Sequence, residues 1–179
     1  LPEAHRRWFG HPAHADALPV ADNSVDLITV AQALHWFPLP AFFHESARVL
    51  RDEGLLAIIS YGLCSVAGLE GLIEDFHDRT LKPWWPAARW LVIEGYRSVT
   101  LPWPELEGPP PMPLERQWHW QDMAGYLDTW SALVKARDHG DDPLAAFLPV
   151  LREHWGEAER TVRWPLQLRV CARPPRPAG

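Results

Sequence analysis

The chain has 179 residues, 47% hydrophobic and 22% charged, a balance that excludes disorder along most of its length and fits a single globular domain. Its formal charge of -6 excludes a broad electrostatic grip on nucleic acid, which needs clustered Lys and Arg to displace counterions. No apolar run approaches the roughly 20 residues of a membrane span, and Cys64 and Cys171 sit in apolar runs as reduced, buried thiols would, so a soluble cytoplasmic protein is expected.

Arg7 to His11 is a short run that could form a strand, and Pro19 to Asn23 has turn composition. Asp26 to Ala31 is compact, apolar and β-branched, which predicts a strand buried on both faces, as in a parallel sheet. From Leu39 to Leu50 the apolar residues recur at helical spacing with His44, Glu45 and Arg48 on the other side. Arg51 to Gly54 then predicts a turn, and Leu55 to Tyr61 a second apolar strand, so the three elements read as a parallel βαβ unit with a right-handed crossover.

Past Gly62 the texture changes. Leu69 to Leu81 has helical spacing, Trp84 to Tyr96 is dense in aromatic residues, and Leu101 to Pro113 is rich in proline. Helices are predicted from about Gln121 to Ala136 and from about Pro143 to Trp155, separated by the turn composition Asp138 to Asp142. Arg160 to Ala172 alternates Val162, Trp164, Leu166, Leu168 and Val170 with mostly polar residues, which predicts an antiparallel strand with two unlike faces. Arg173 to Gly179 is proline-rich and expected to be loose. No internal repeat is visible.

Ala15-Asp16-Ala17-Leu18-Pro19, Asp22 to Leu27 and Val30-Ala31-Gln32-Ala33-Leu34-His35-Trp36-Phe37 together resemble the third-to-fourth-strand region of class I S-adenosylmethionine-dependent methyltransferases. Arg48 to Ala57 is similar to that family's helix-to-fifth-strand turn, and Ala31 to Phe37 most resembles the branch related to trans-aconitate methyltransferases. The likeness continues through Trp84-Trp85-Pro86, Gly95-Tyr96, Gly125-Tyr126-Leu127, Trp130-Ser131-Ala132 and Arg163 to Leu166. It implies an α/β fold: a partial Rossmann-like sheet made of the family's later strands, the last antiparallel, with a helical Trp-rich cap over about residues 63–155 of one methyltransferase domain.

The resemblance also implies a site. Asp16 holds the acidic position that meets the adenine edge and Ala15 offers its amide, while His14 replaces an Asp found in relatives. Ala31, Gln32 and His35 fall where the fourth strand opens over the cofactor. Small Ala31 admits the methionine moiety, Gln32 can hydrogen-bond it, and the face of Trp36 suits a sulfonium. Packing against the next helix is the plain alternative for Trp36. The implied cofactor is S-adenosylmethionine, and the implied partner is a small-molecule methyl acceptor.

For a carboxylate acceptor, already ionised at neutral pH, Arg89 is the candidate clamp, with Tyr61, Trp84, Tyr96 and Trp130 as aromatic walls. For a hydroxyl or amine, His35 is the candidate base. The plain alternatives are a solvated Arg89 on a helix and cap packing for Trp84 and Trp85. The histidines lack ligand spacing and Asp138 to Asp142 lacks a calcium loop's length and closing Glu, so no metal is assigned.

The departure from the family lies upstream. No Gly-x-Gly occurs in the chain, and neither the first strand with its glycine turn nor the acidic residue ending the second strand is found. The expectation is an N-terminally truncated fragment whose Asp26 to Ala31 edge is unpaired and which alone binds S-adenosylmethionine weakly or not at all. A non-catalytic methyltransferase-like domain that binds a partner or apolar ligand through its tryptophans is the alternative, and an α/β-hydrolase fails for want of Gly-x-Ser-x-Gly.

Overall fold

A computed structural model describes residues 10, 12–108, 110 and 112–175 of the chain. Apart from Gly10, the possible strand at Arg7 to His11 lies outside the described residues. The chain divides into two compact units.

The first unit takes in the described residues of Leu1–Ile58, Leu101–Glu107 and Arg169–Gly179. Strand β1 (Val25–Ala31) leads through a 3-10 turn at Leu34–Trp36 into helix α1 (Leu39–Val49), and strand β2 (Leu50–Tyr61) starts at once. Phe42, Glu45, Ser46 and Val49 recur at the spacing of one helix face and are the buried side of α1, so Glu45 lies on the inner face and not on the polar side with His44, because Arg48 and Leu18 N answer its carboxylate there. Ser24 N donates to Val49 O at 2.9 Å, and Arg51 pairs with Asp26, so β1 and β2 start side by side as a parallel pair does.

Strand order here is β1-β2-β5, where β5 (Arg160–Ala172) contributes its last residues. The sequence-predicted strand Asp26 to Ala31 is present, but it is not buried on both faces: Val30 alone is buried and Leu27 is 50% exposed. The reason is position, because β1 stands at the end of the order and, among the described residues, only β2 pairs beside it.

Arg51 to Gly54 forms no turn and instead belongs to β2. Glu53 takes a left-handed φ of +63°, and its N–H donates to Arg173 O at 3.0 Å while Arg173 N donates to Gly54 O at 2.9 Å. A Cβ at Gly54 would come within 2.8 Å of Arg51 O, so this kinked strand start needs glycine. The expected loose tail is likewise corrected at its first residue. Arg173 is 5% exposed and donates to Asp52 Oδ1 at 2.7 Å, Leu50 O at 3.0 Å and Asn23 Oδ1 at 3.3 Å; residues 176–179 lie outside the described ones.

The second unit takes in Ile59–Thr100 and the described residues of Gly108–Leu168. Strand β3 (Ser65–Val66) precedes helix α2 (Glu70–Asp75), which widens into a π-helical turn at Phe76–Thr80. A 3-10 turn at Lys82–Trp84 and helix α3 (Arg89–Ile93) follow, then strand β4 (Pro113–Trp118) and helices α4 (Trp120–Asp128), α5 (Ser131–Asp138) and α6 (Pro143–Trp155). Both β3 and β4 pair antiparallel with β5, with Glu115 opposite Arg163 and Val66 opposite Val162.

The helix expected from Gln121 to Ala136 is two helices, because Trp130 takes extended backbone (φ -71°, ψ 130°) and turns its indole inward. The strand β4 went unforeseen. Helix α6 and β5 agree with their expected ranges: Asp142 accepts from Ala145 N at the helix start, and Val162 and Trp164 are buried between exposed Arg163 and Pro165. The unit's core gathers Ile73, Phe76, Met123, Leu127, Leu133, Leu151, Trp155 and Trp164, each aliphatic burial contributing about 1.5–3 kcal/mol. Both Cys64 and Cys171 are free and buried, as expected. A mixed sheet with an antiparallel last strand and an aromatic helical cap is the partial Rossmann-like architecture that the resemblance implies.

Candidate functional site

In the first unit, the end of β1 projects a short corner. Ala31 is exposed, Gln32 takes a left-handed φ of +52°, and the 3-10 turn is pinned by fully buried Leu34. A non-glycine residue held there marks a position that the surroundings over-determine. The rings of His35 and Trp36 lie 4.6 Å apart, and Trp36 is 63% exposed, so most of its indole is open to solvent. A small exposed residue, a side-chain amide and an open indole face fit the methionine and sulfonium end of the implied cofactor.

Ala15 and Asp16 occupy a tight turn closed by Ala17 N donating to His14 O at 3.1 Å. The chain beyond it is tied to α1. Leu18 N donates to Glu45 Oε1, and Arg48 donates to Glu45, to Asp22 and to the carbonyls of Leu18 and Val20. The Arg48 guanidinium beside buried Glu45 holds that carboxyl down to about 2, against the opposing effect of burial.

The second unit holds an aromatic cluster. Arg89 begins α3, is partly buried, and stacks its guanidinium carbon 4.8 Å from the centre of the Trp85 ring. Its Nε is buried without a hydrogen-bond partner. Burial disfavours its charged form, while Tyr126, Tyr61, Tyr96 and Cys64 form its electrostatic surroundings. The solvated alternative for Arg89 therefore fails. Trp130 sits edge-on to Tyr126 at 5.8 Å and 5.5 Å from Trp85, whereas Trp84 lies away against His139 at 5.4 Å.

Three members of this cluster are not among the sequence-based candidates: Trp85, Tyr126 and His77. Tyr126 accepts from Trp164 Nε1 at 3.0 Å, and burial pushes its phenol up to about 12. His77 is 1% exposed within the π-helical turn, a local distortion frequent at functional sites. In sequence His77 looked like one residue of an amphipathic helix. Trp85 was visible in the Trp-Trp-Pro run but not separable from Trp84.

A cleft of about 660 Å³ along α6 is lined by Trp120, Leu148, Pro149, Arg152 and Glu153, among others. It contains none of the sequence-predicted residues, and Arg152 already rests 5.5 Å over Trp120. Among the described residues no group of three or more His, Cys, Asp or Glu side chains is arranged to hold a metal ion, and no helix is long and apolar enough to cross a membrane.

Residues 4–58 match the methyltransferase-domain family. A solved structure from Anaeromyxobacter dehalogenans, assigned as a type II methyltransferase, is 36% identical and covers 94% of this chain and 75% of its own, with a TM-score of 0.81. A Dictyostelium discoideum protein assigned as a methyltransferase is 36% identical over 131 residues, 68% of this chain; the chain spans 49% of that relative's length. The malonyl-[acyl-carrier protein] O-methyltransferase of Gallionella capsiferriformans is 36% identical over 69 residues, covering 38% of this chain and 24% of that one. Identity at this level, across most of both chains and on one shared fold, exceeds what architecture alone would produce: the chain belongs to the class I S-adenosylmethionine-dependent methyltransferases.

Proposed function

We propose that the whole protein transfers a methyl group from S-adenosylmethionine to a small carboxylate-bearing acceptor, as one cytoplasmic methyltransferase domain whose residues from about 63 to 155 form the acceptor cap. The observation that supports the carboxylate is Arg89. A guanidinium drawn out of water with a buried Nε–H unmatched is costly to hold. A ligand carboxylate supplies both the opposite charge and the lone pairs that this N–H lacks.

When bound, S-adenosylmethionine supplies an activated methyl on a sulfonium, so an already ionised carboxylate oxygen needs no base. On this reading Ala31, Gln32 and Trp36 receive the methionine and sulfonium end, and Ala15 and Asp16 the adenine edge. His35 supports the Trp36 ring instead of moving a proton. Arg89 fixes the acceptor's carboxylate, and Tyr61, Tyr96 and Trp130 shut out water and limit its size, while Trp84, against His139, takes no part. One relative is named a malonyl-[acyl-carrier protein] O-methyltransferase, and a malonyl group carries a carboxyl.

Methyl transfer by the whole protein to small di- and tricarboxylic acids, with their methyl esters as controls, tests the reading. Arg89→Gln should lower kcat/KM by about a hundredfold, the loss of one charge-assisted contact, with Arg89→Lys intermediate. Trp36→Ala should weaken cofactor binding several-fold, by about 0.5–2 kcal/mol. Acids and esters methylated equally well, with Arg89→Gln indifferent, would remove the carboxylate from the proposal.

A further inference from the structure

His77 is a buried imidazole whose two nitrogens are treated differently. Its Nδ1 lies 2.6 Å from Asp78 Oδ1. A carboxylate oxygen only accepts, so Nδ1 carries the proton, and in the neutral ring Nε2 is left with a lone pair. Burial lowers the His77 pKa, opposed by Asp78 and assisted by the positive charge of Arg89, which favours that neutral ring. Nε2 is buried and has no hydrogen-bond partner.

The surroundings are aromatic. The His77 ring centre is 4.7 Å from that of Trp85 and 5.4 Å from that of Trp130, edge-on, and Trp85 Nε1 is already committed to the His77 carbonyl at 3.0 Å. Arg89 rests 4.8 Å from the same Trp85 ring. The side chains packed against Trp85 therefore include an unmatched N–H donor on Arg89 and an unmatched acceptor on His77. A carboxylate answers only the first.

We propose that His77 Nε2 accepts a hydrogen bond from a hydroxyl of the methyl acceptor, so that the acceptor is a hydroxy acid with its carboxylate on Arg89. This rests on the carboxylate reading of Arg89. An ammonium could also donate to Nε2, but the guanidinium against the same indole repels a second cation, which selects a neutral donor. His77 is thus a specificity-determining residue: it transfers no proton and rewards one functional group.

Succinate, malate and aspartate share one carbon skeleton and differ by hydrogen, hydroxyl and ammonium, so calorimetric titration of each into the whole protein isolates the contact. Malate should bind about tenfold more tightly than either of the others, the worth of one neutral hydrogen bond. His77→Phe should erase that preference and leave succinate binding unchanged, whereas Arg89→Gln should weaken all three ligands. In the wild type, the ¹⁵N resonance of His77 Nε2 should move with malate and stay put with succinate, a readout independent of how the variants fold.

Equal affinities with an unmoved Nε2 resonance would overturn the role of His77 and leave the carboxylate reading standing. Should no dicarboxylate bind, the carboxylate reading fails, and phenol against benzene decides His77 by itself. A phenol preference that His77→Phe abolishes supports Nε2 as the hydroxyl acceptor, and the lack of one overturns it.

Discussion

The guanidinium carbon of Arg89 lies 4.8 Å from the centre of the Trp85 indole, while the Nε of the same side chain is buried without a partner. Stacking recovers part of what desolvation costs, because a cation over an indole face gains about 0.5–2 kcal/mol. It does not replace the missing acceptor. Removing the charge should therefore cost the fold nothing: Arg89→Met, which keeps an unbranched stem over Trp85, is expected to hold or raise stability by up to about 1 kcal/mol. Thermal denaturation checks this, and a clear fall in midpoint would make Arg89 a structural residue.

Glu45 offers the opposite case, a buried carboxylate that is fully answered. Arg48 donates to it at 2.7 and 2.8 Å and Leu18 N at 2.6 Å, with Asp22 sharing Arg48 from the far side. Its folded pKa of about 2 lies below the unfolded value of about 4.3. Its contribution is therefore complete above the unfolded pKa and disappears as pH falls through the folded one. Glu45→Gln should lower the urea midpoint at pH 7, and the gap from wild type should close between about pH 4 and pH 2. A gap that stays constant over that window would sever Glu45 from the acid transition.

Local patterning made some of this legible. β5 alternates strictly from Val162 to Trp164 and α6 has its Asp142 cap and Pro143 start, so period and cap agreed with the final packing. β4 hid because Glu115, Arg116 and Gln117 are exposed and its order comes from pairing with β5, a partner about fifty positions later. The break at Trp130 hid because a helix tolerates tryptophan; only contacts with Phe76, His77, Trp85 and Tyr126 turn it inward. The candidate site divides the same way. Gln32 to Trp36 is contiguous in sequence and could be read, whereas the burial of His77 depends on rings from three separate segments.

Arg173 shows how a residue in a proline-rich tail becomes structural. It is almost fully buried, and truncation would strand Leu50 O and leave Asp52 without its cation. Arg173→Ala should destabilise by about 2 kcal/mol, the range for a hydrogen bond to a charged group. Arg163 is the control, since its pair with Glu115 is half exposed on both sides and Arg163→Ala should cost no more than about 0.5 kcal/mol. Urea midpoints measure both, and equal losses would contradict the buried role of Arg173.

Gly95 has φ +68°, and a Cβ there would fall 1.4 Å from Gln167 Oε1, a buried atom without a hydrogen-bond partner. Gly95→Ala thus meets two separate penalties. The left-handed backbone costs a residue with a Cβ about 1–2 kcal/mol, and Gln167 must swing out of its place. Only the second depends on Gln167, so in a Gln167→Ala background the cost of Gly95→Ala should drop to the backbone strain alone. A double-mutant cycle should show coupling of about 1 kcal/mol between the two positions. Gly95 also sets the entry to Tyr96, itself left-handed at φ +57° and fully buried. Gly95→Ala should therefore disturb the phenol that forms part of the surroundings of Arg89, and additive effects of the two substitutions would show that Gln167 yields freely and that Gly95 matters for its backbone angle alone.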